Sequence, residues 1–377
     1  MPASRFVRRS FLGGTCAAAG SLAATVAAPR PAGGWFAAGS DRLRVGLVGC
    51  GGRGTGAAAQ AAAADPAVRI TALADLFADQ VDAALAVLDR TCGAAVACPT
   101  AGRFTGQDAW RRLMEADLDV VILATSPDAR PAQAAAAVAA GRHVYCEAPA
   151  AIDAAGVAVI HAAFDKATAA GLAVGSGLAW RHDPTTIRAV AAIRDGAIGI
   201  PVAAVATSRL GPAWRRAPAP GLTPAEAAHR EWISSARLSG GDFVEHQVHA
   251  LDKLLWALGD EAPVLAEPSV ATPTAGVAVR YRFADGRVLD AGLVRRPGGT
   301  DRIEEQVRGT RGGCDLRAAG TGAGRHRRSM AAFIGSIRGG TPLAEGQALC
   351  RSTLAAILGR EAAAAGAARP WPAVVPA

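Results

Sequence analysis

Residues 42–63 read RLRVGLVGCGGRGTGAAAQAAA, and no other stretch limits the possible folds as sharply. An apolar run from Arg42 leads into Gly49-Cys50-Gly51-Gly52-Arg53-Gly54 and then into an alanine-rich segment. That is strand, tight turn and helix, with glycines spaced G-x-G-x-x-G. Such a turn lets backbone approach a ligand closely and aims free N–H groups and the positive end of a helix dipole at an anion, as pyrophosphate binding requires. The next apolar run, VRITALADLF, ends near Asp75, at the spacing of a carboxylate that meets adenosine ribose hydroxyls. A carboxylate there disfavours a 2′-phosphate, so NAD rather than NADP is the expected cofactor.

Two further apolar runs, DLDVVILATSP (Asp117 to Pro127) and GRHVYCEAPAA (Gly141 to Ala151), each follow a helical stretch. Alternating strands and helices imply a doubly wound parallel sheet, an α/β Rossmann domain, with ligands at the strand ends. Thr125, Ser126, Pro127, Glu147 and Ala148 are then expected beside the cofactor. With 377 residues the chain exceeds one ordinary core, so a second domain is expected: 1–40 as leader and linker, 41–165 as the Rossmann domain, 166–377 as a second α/β domain. In that second half AVATSRL, GVAVRYRFADG, VLDAGLVRR and IEEQVRGT read as strands, with a turn at Asp285-Gly286, giving a mainly antiparallel open sheet. The runs MAAFIGSIRGG and ALCRSTLAAILGREAAAAG read as helices packing back on the first domain.

One helix in the second half carries chemistry. In SGGDFVEHQVHALDKLLWALGD, Ser239 to Asp260, helical spacing gathers Glu245, His249, Asp252 and Trp256 on one arc with His246 and Lys253 beside it. Asp242 followed by Glu245 has capping-box spacing, which would account for both acids without any chemistry. It does not account for the histidines. Zinc-protease spacing needs H-E-x-x-H, and the order here is E-H-Q-V-H, so no metal is expected. A Glu and a His one turn apart suit acid/base work, with Glu245 and His249 as the catalytic candidates. His246, Asp252 and Arg181, the last in GLAWRHDP after what reads as the first strand of the second domain, are candidates for substrate contact, the alternative for Arg181 being a structural ion pair. Lys253, one of two lysines in the chain, reads as a surface residue. The Pro- and Ala-rich stretch around Trp214 and Trp232 reads as a long loop over the site, its tryptophans either stacking on a sugar face or anchoring the loop.

The net charge of +8 raises the question of nucleic acid, but the arginines are scattered and the densest cluster is only GRHRRS, Gly324 to Ser329, so no nucleic-acid partner is expected. Seven cysteines show no C-x-x-C pair and read as free thiols. The opening MPASRFVRRSFLGGTCAAAGSLAATVAAP holds a twin arginine, Arg8 and Arg9, before a short, mildly apolar run. It resembles a twin-arginine (Tat) export signal rather than a membrane span, which implies a periplasmic or extracytoplasmic protein.

Taken in order, VGLVGCGGRG, ALADLF, VVILATSPDARP, AGRHVYCEAP, GAIGIPVAA, SGGDFVEHQVHALD and EEQVRGTRGGCDL resemble the Gfo/Idh/MocA oxidoreductases, the family of glucose-fructose oxidoreductase and inositol dehydrogenase. The resemblance implies NAD, a carbohydrate or polyol substrate and a homo-oligomer. It also implies an acid and a His on the downstream helix, at Glu245 and His249, and a Glu-Lys-Pro motif after the fifth strand whose lysine holds the substrate hydroxyl. The lysine position is Ala148, a departure from the pattern. The form EAPAAID is similar to a branch of exported, NAD-dependent glycosidases that oxidise, eliminate, hydrate and reduce in a redox-neutral cycle. Loss of the lysine also leaves open a non-catalytic, sugar-sensing NAD-binding protein.

Overall fold

The computed structural model describes residues 41–213, 221–269, 276–296, 298–299, 301–317 and 324–373. The leader and Trp214 lie outside them.

The first sheet contains β1 (Leu43–Val48), β2 (Val68–Asp75), β3 (Arg103–Thr105), β4 (Val120–Leu123), β5 (His143–Cys146) and β6 (Val174–Ser176), all parallel, in the order β3-β2-β1-β4-β5-β6. Helices α1 (Gly52–Ala64), α2 (Ala78–Cys92), α3 (Ala109–Glu115), α4 (Arg130–Ala139) and α5 (Ala154–Ala169) connect and cover the strands. Residues of β4 and β5 are buried on both faces, which is why these strands read as unbroken apolar runs rather than alternating ones.

The boundary read at residue 165 falls inside α5, and β6, taken from sequence as the first strand of the second domain, is the edge strand of the first sheet. Three residues with a central glycine carry no periodicity that could have assigned them.

The second unit begins with α6 (Pro184–Arg194) and β7 (Pro201–Leu210). A long excursion follows, carrying α7 (Pro224–Arg230), α8 (Ala236–Ser239) and α9 (Asp242–Ala257), before β8 (Leu265–Pro268), β9 (Val277–Arg282), β10 (Val288–Arg295), β11 (Arg302–Gly309) and β12 (Gly312–Asp315). The chain ends with α10 (Arg325–Arg338), α11 (Gly346–Ala365) and the short β13 (Arg369–Pro370). The second sheet runs β12-β11-β7-β10-β9-β8-β13, antiparallel throughout except for β7 beside β10.

Contacts from three helices, α9, α10 and α11, fix the candidate site between the two sheets. Gln247 of α9 donates to Ser208 Oγ of β7 at 3.1 Å and to the Gly292 carbonyl of β10 at 2.7 Å. Because Glu245 lies about 200° from Gln247 around the helix and His249 lies about 40° from Glu245, this pin turns both away from the sheet. Helix α10 packs on the first sheet as expected: Ser329 Oγ is 3.0 Å from the buried Tyr145 hydroxyl and donates to the Ser176 carbonyl, and Phe333 meets the Tyr145 ring edge-on. Helix α11 joins the units from the other side, where Thr353 Oγ1 accepts from the Ala150 N–H at 3.0 Å.

Candidate functional site

The glycine turn is built for a close ligand. Gly49 has φ +94°, and a Cβ there would stand 2.6 Å from the Ala124 carbonyl carbon. A Cβ on Gly54 would stand 1.9 Å from the Gly49 carbonyl oxygen, so this position seats α1 against the turn. At Gly51 and Gly52 a Cβ would meet nothing within 4 Å, so that side of the turn is open space. Helix α1 starts there with no side-chain cap and no acid in its first turn, leaving its N–H groups and positive dipole end for an anion. Arg53 turns away, its Nε donating to Glu147 Oε1 at 2.6 Å. Asp75 closes the end of β2, accepting from the Cys50 N–H at 2.7 Å and the Phe77 N–H at 2.9 Å. Burial nevertheless raises its pKa above the ordinary range, with those two bonds opposing.

A cleft of about 790 Å³ opens over this turn, lined by Gly49, Gly51, Asp75, Phe77, Thr125, Ser126 and Gln133 from the first domain and by Glu226, Arg230 and Trp232 from the excursion after β7. Pro127 is not among its lining residues. Trp232 therefore lines the same cleft as the glycine turn. Arg130, unmarked in the sequence reading, ties this region together: it donates to the carbonyls of Thr125, Glu147 and Pro149, bracketing Ala148. Glu147 is buried, and Gly177 leaves room for it, since a Cβ there would lie 2.4 Å from Glu147 Oε2.

Helix α9 faces this bracket. Glu245 is not a capping residue: the N-cap is Gly241 with no side-chain bond, and the Asp242 carboxylate goes to Arg295. Glu245 Oε1 is buried without a hydrogen-bond partner. Burial raises its carboxyl to about 7, with the nearby Arg130 guanidinium opposing. His249 makes no hydrogen bond to another described residue, and burial with the charges of Lys253, His326 and Arg325 pulls it down to about 3, so it is neutral at physiological pH. His326 is pulled down to about 4 by burial, Arg53 and Arg325, and its Nδ1 is buried and unpartnered. The basic run at the start of α10 thus borders His249, although nothing in its sequence ties it to that helix.

Three sequence readings change, those of Lys253, Asp252 and His246, and for Arg181 the ion-pair alternative is the one observed. Lys253 is buried rather than exposed: its Nζ pairs with Glu305 of β11 and lies 4.2 Å from the Trp180 ring centroid. Arg181 and Asp252 satisfy each other, with 2.8 Å between Arg181 Nη2 and Asp252 Oδ1, and Asp260 and Ser352 complete the network. They form a structural ion pair, not a pair of substrate contacts. His246 has Nδ1 on Asp242 and Nε2 3.1 Å from Arg295, so both ring nitrogens are engaged inside the protein. Among the described residues no cluster of three or more His, Cys, Asp or Glu side chains could hold a metal.

Residues 43–176 match the family described as an oxidoreductase family with an NAD-binding Rossmann fold, Gfo/Idh/MocA. That match spans the first sheet, from β1 to β6. Structural likeness extends beyond the matched region. A putative myo-inositol dehydrogenase from Sinorhizobium meliloti superposes with TM-score 0.63 at 21% identity, covering 87% of this chain and 99% of its own. The myo-inositol 2-dehydrogenase of Lactobacillus plantarum gives TM-score 0.67 at 16% identity, covering 88% and 100%. At these identities the likeness is one of fold. A curated relative, "Glycosyl hydrolase family 109 protein 1" of Bacteroides fragilis, is 35% identical over 114 residues, 30% of this chain and 23% of its own length. The chain thus matches under a quarter of that relative. The matched domain fits NAD: the open space at Gly51 and Gly52 would take pyrophosphate at the helix end, and the Asp75 carboxylate stands where a ribose diol would meet it.

Proposed function

We propose that the protein is an NAD-dependent oxidoreductase acting on a hydroxyl of a carbohydrate or polyol, with Glu245 and His249 as its acid/base pair. The observation that carries this reading is Glu245, a half-buried residue whose Oε1 is buried and unpartnered, its carboxyl held near 7 beside the bracket around Ala148. A proton acceptor works best when its pKa lies near the operating pH. When bound, NAD⁺ supplies the two-electron acceptor for the carbon that carries the hydroxyl.

In this reading Glu245 takes the hydroxyl proton as the carbonyl forms and returns it in the reverse direction. His249, neutral and with no internal partner, orients the hydroxyl by a hydrogen bond rather than serving as the stronger base. The surrounding positive charges that depress His249 also stabilise a developing alkoxide, the task an ammonium at position 148 would perform. Ala148 contributes only space there.

A second reading is supported by EAPAAID and by the likeness to the glycosyl hydrolase relative. A transient ketone acidifies the neighbouring C–H, which lets weak bases eliminate a glycosidic substituent before water adds and the ketone is reduced. Such a cycle would be redox-neutral overall and need no external nicotinamide supply, which suits export through the twin-arginine signal that belongs to this proposal. A homo-oligomer belongs to it as well, favoured by exposed Ile200 just before β7 and exposed Val202 within it. Incubating the protein and NAD⁺ with free sugars, polyols and chromogenic glycosides separates the two reactions. NADH accumulating with a free sugar or polyol supports net dehydrogenation, and aglycone release that needs NAD⁺ but leaves no NADH supports the neutral cycle. A protein that binds NAD⁺ and does neither is a binding protein, and the enzymatic reading fails.

A further inference from the structure

The excursion after β7 crosses to the first domain and forms one wall of the cleft over the glycine turn, from Thr223 to Ile233. Its hold on the first domain is specific. Arg230 Nη2 donates to Asp79 of α2 at 2.7 Å, and its guanidinium lies 4.3 Å from the Phe77 ring centroid, two residues past Asp75. A capping box joining Thr223 and Glu226 sets the start of α7. The return of the excursion is fastened where Asp128 N–H donates to the Leu238 carbonyl.

Two polar atoms on this wall have no partner although they are buried: Arg230 Nη1, a donor, and Glu231 Oε1, an acceptor. Both residues line the cleft. A buried donor and a buried acceptor left open in one cavity call for a ligand that offers both hydrogen-bonding roles. A nucleoside does so, since its ribose hydroxyls donate and accept, and the opposite wall presents Asp75 at the position suited to that sugar. We propose that residues 221–235 form a strap belonging to the cofactor site, in which Arg230 Nη1 donates to a hydroxyl of the adenosine ribose of NAD and Glu231 accepts a hydrogen bond from the nucleoside. Cofactor exchange then requires Arg230 to leave Asp79. This inference rests on NAD as the occupant and not on which reaction follows.

The test reads binding rather than turnover: NADH release rate by fluorescence, with equilibrium binding of ADP-ribose and of nicotinamide mononucleotide. Arg230→Ala is expected to speed NADH release and weaken ADP-ribose by about tenfold, the factor for one lost charge-assisted hydrogen bond, while mononucleotide affinity stays unchanged. Asp79→Asn, which removes nothing facing the cleft, is expected to speed release by a few-fold and decides the matter should the first variant not fold. Release within about twofold of wild type in both variants, or equal weakening of the mononucleotide and ADP-ribose, overturns the strap. A protein inert toward every sugar would sink the proposed reaction while leaving these measurements valid.

Discussion

Replacing Glu245 with Gln should make the protein less sensitive to alkaline pH, by an amount the structure sets. The folded-state carboxyl is raised to about 7 from an ordinary 4.5, chiefly by burial. Between those values the folded protein holds a proton that the unfolded chain has released, so stability falls as pH rises through the window. One pKa unit corresponds to about 1.4 kcal/mol, and integrating from near pH 5 to near pH 8 gives a loss of about 2.5 kcal/mol attributable to this group. Glutamine keeps the shape and cannot ionise. Urea unfolding of the ligand-free protein at both pH values should show the variant gaining on wild type by about 2.5 kcal/mol between the acid and alkaline conditions, with other titrating groups cancelling in the difference. A stability difference constant to within about 0.5 kcal/mol would mean that Glu245 is ionised and well solvated in the fold, and the argument for it as a proton carrier near neutrality would fall.

Three shorter predictions follow from the same geometry. Lys253→Met strands the buried Glu305 carboxylate, and urea unfolding should show a loss of about 3–5 kcal/mol, whereas a surface lysine would cost almost nothing. Asp75→Ala should weaken NAD⁺ about tenfold by calorimetry and narrow the preference over NADP⁺, because a carboxylate placed to meet the diol and repel a phosphate would be gone. Gly49→Ala should destabilise the fold by more than about 1 kcal/mol in thermal unfolding and abolish NAD⁺ binding, since the position has φ +94° and a Cβ would collide with the Ala124 backbone.

The cofactor end was legible in the sequence because its constraints are local. A strand, a glycine turn and an acid at the end of the next strand are all consequences of neighbouring residues: Gly49 has φ +94°, Gly54 seats α1 against the turn, and Asp75 ends β2. The α9 arc was legible for the same reason, since period alone set Glu245 and His249 together. What failed depends on partners distant in the chain. Lys253 could be recognised as buried only by knowing that Glu305 faces it, and Arg181 as structural only by knowing that Asp252 and Asp260 do. The capping-box reading of Asp242 failed because Arg295, brought over by β10, competes for that carboxylate. Arg130 carried no signal at all, because its partners are three main-chain carbonyls that any residue could supply. The strap was visible as a Pro- and Ala-rich loop, but its destination at the cofactor cleft depends on Asp79 and Phe77, far upstream.

The central claim is that a carbohydrate or polyol carbon is oxidised at this site with Glu245 taking the proton. Its most direct test is a single-turnover experiment in which protein loaded with NAD⁺ is mixed with an active sugar, polyol or glycoside while NADH absorbance is followed, for wild type and Glu245→Gln. The account predicts a rise in NADH with wild type, lasting in a dehydrogenase and transient in a neutral cycle, whose rate increases with pH through about 7 and which is lost in the variant. An unchanged, pH-independent rise in the Glu245→Gln protein, or no rise with any compound in NAD⁺-loaded wild type, would contradict it.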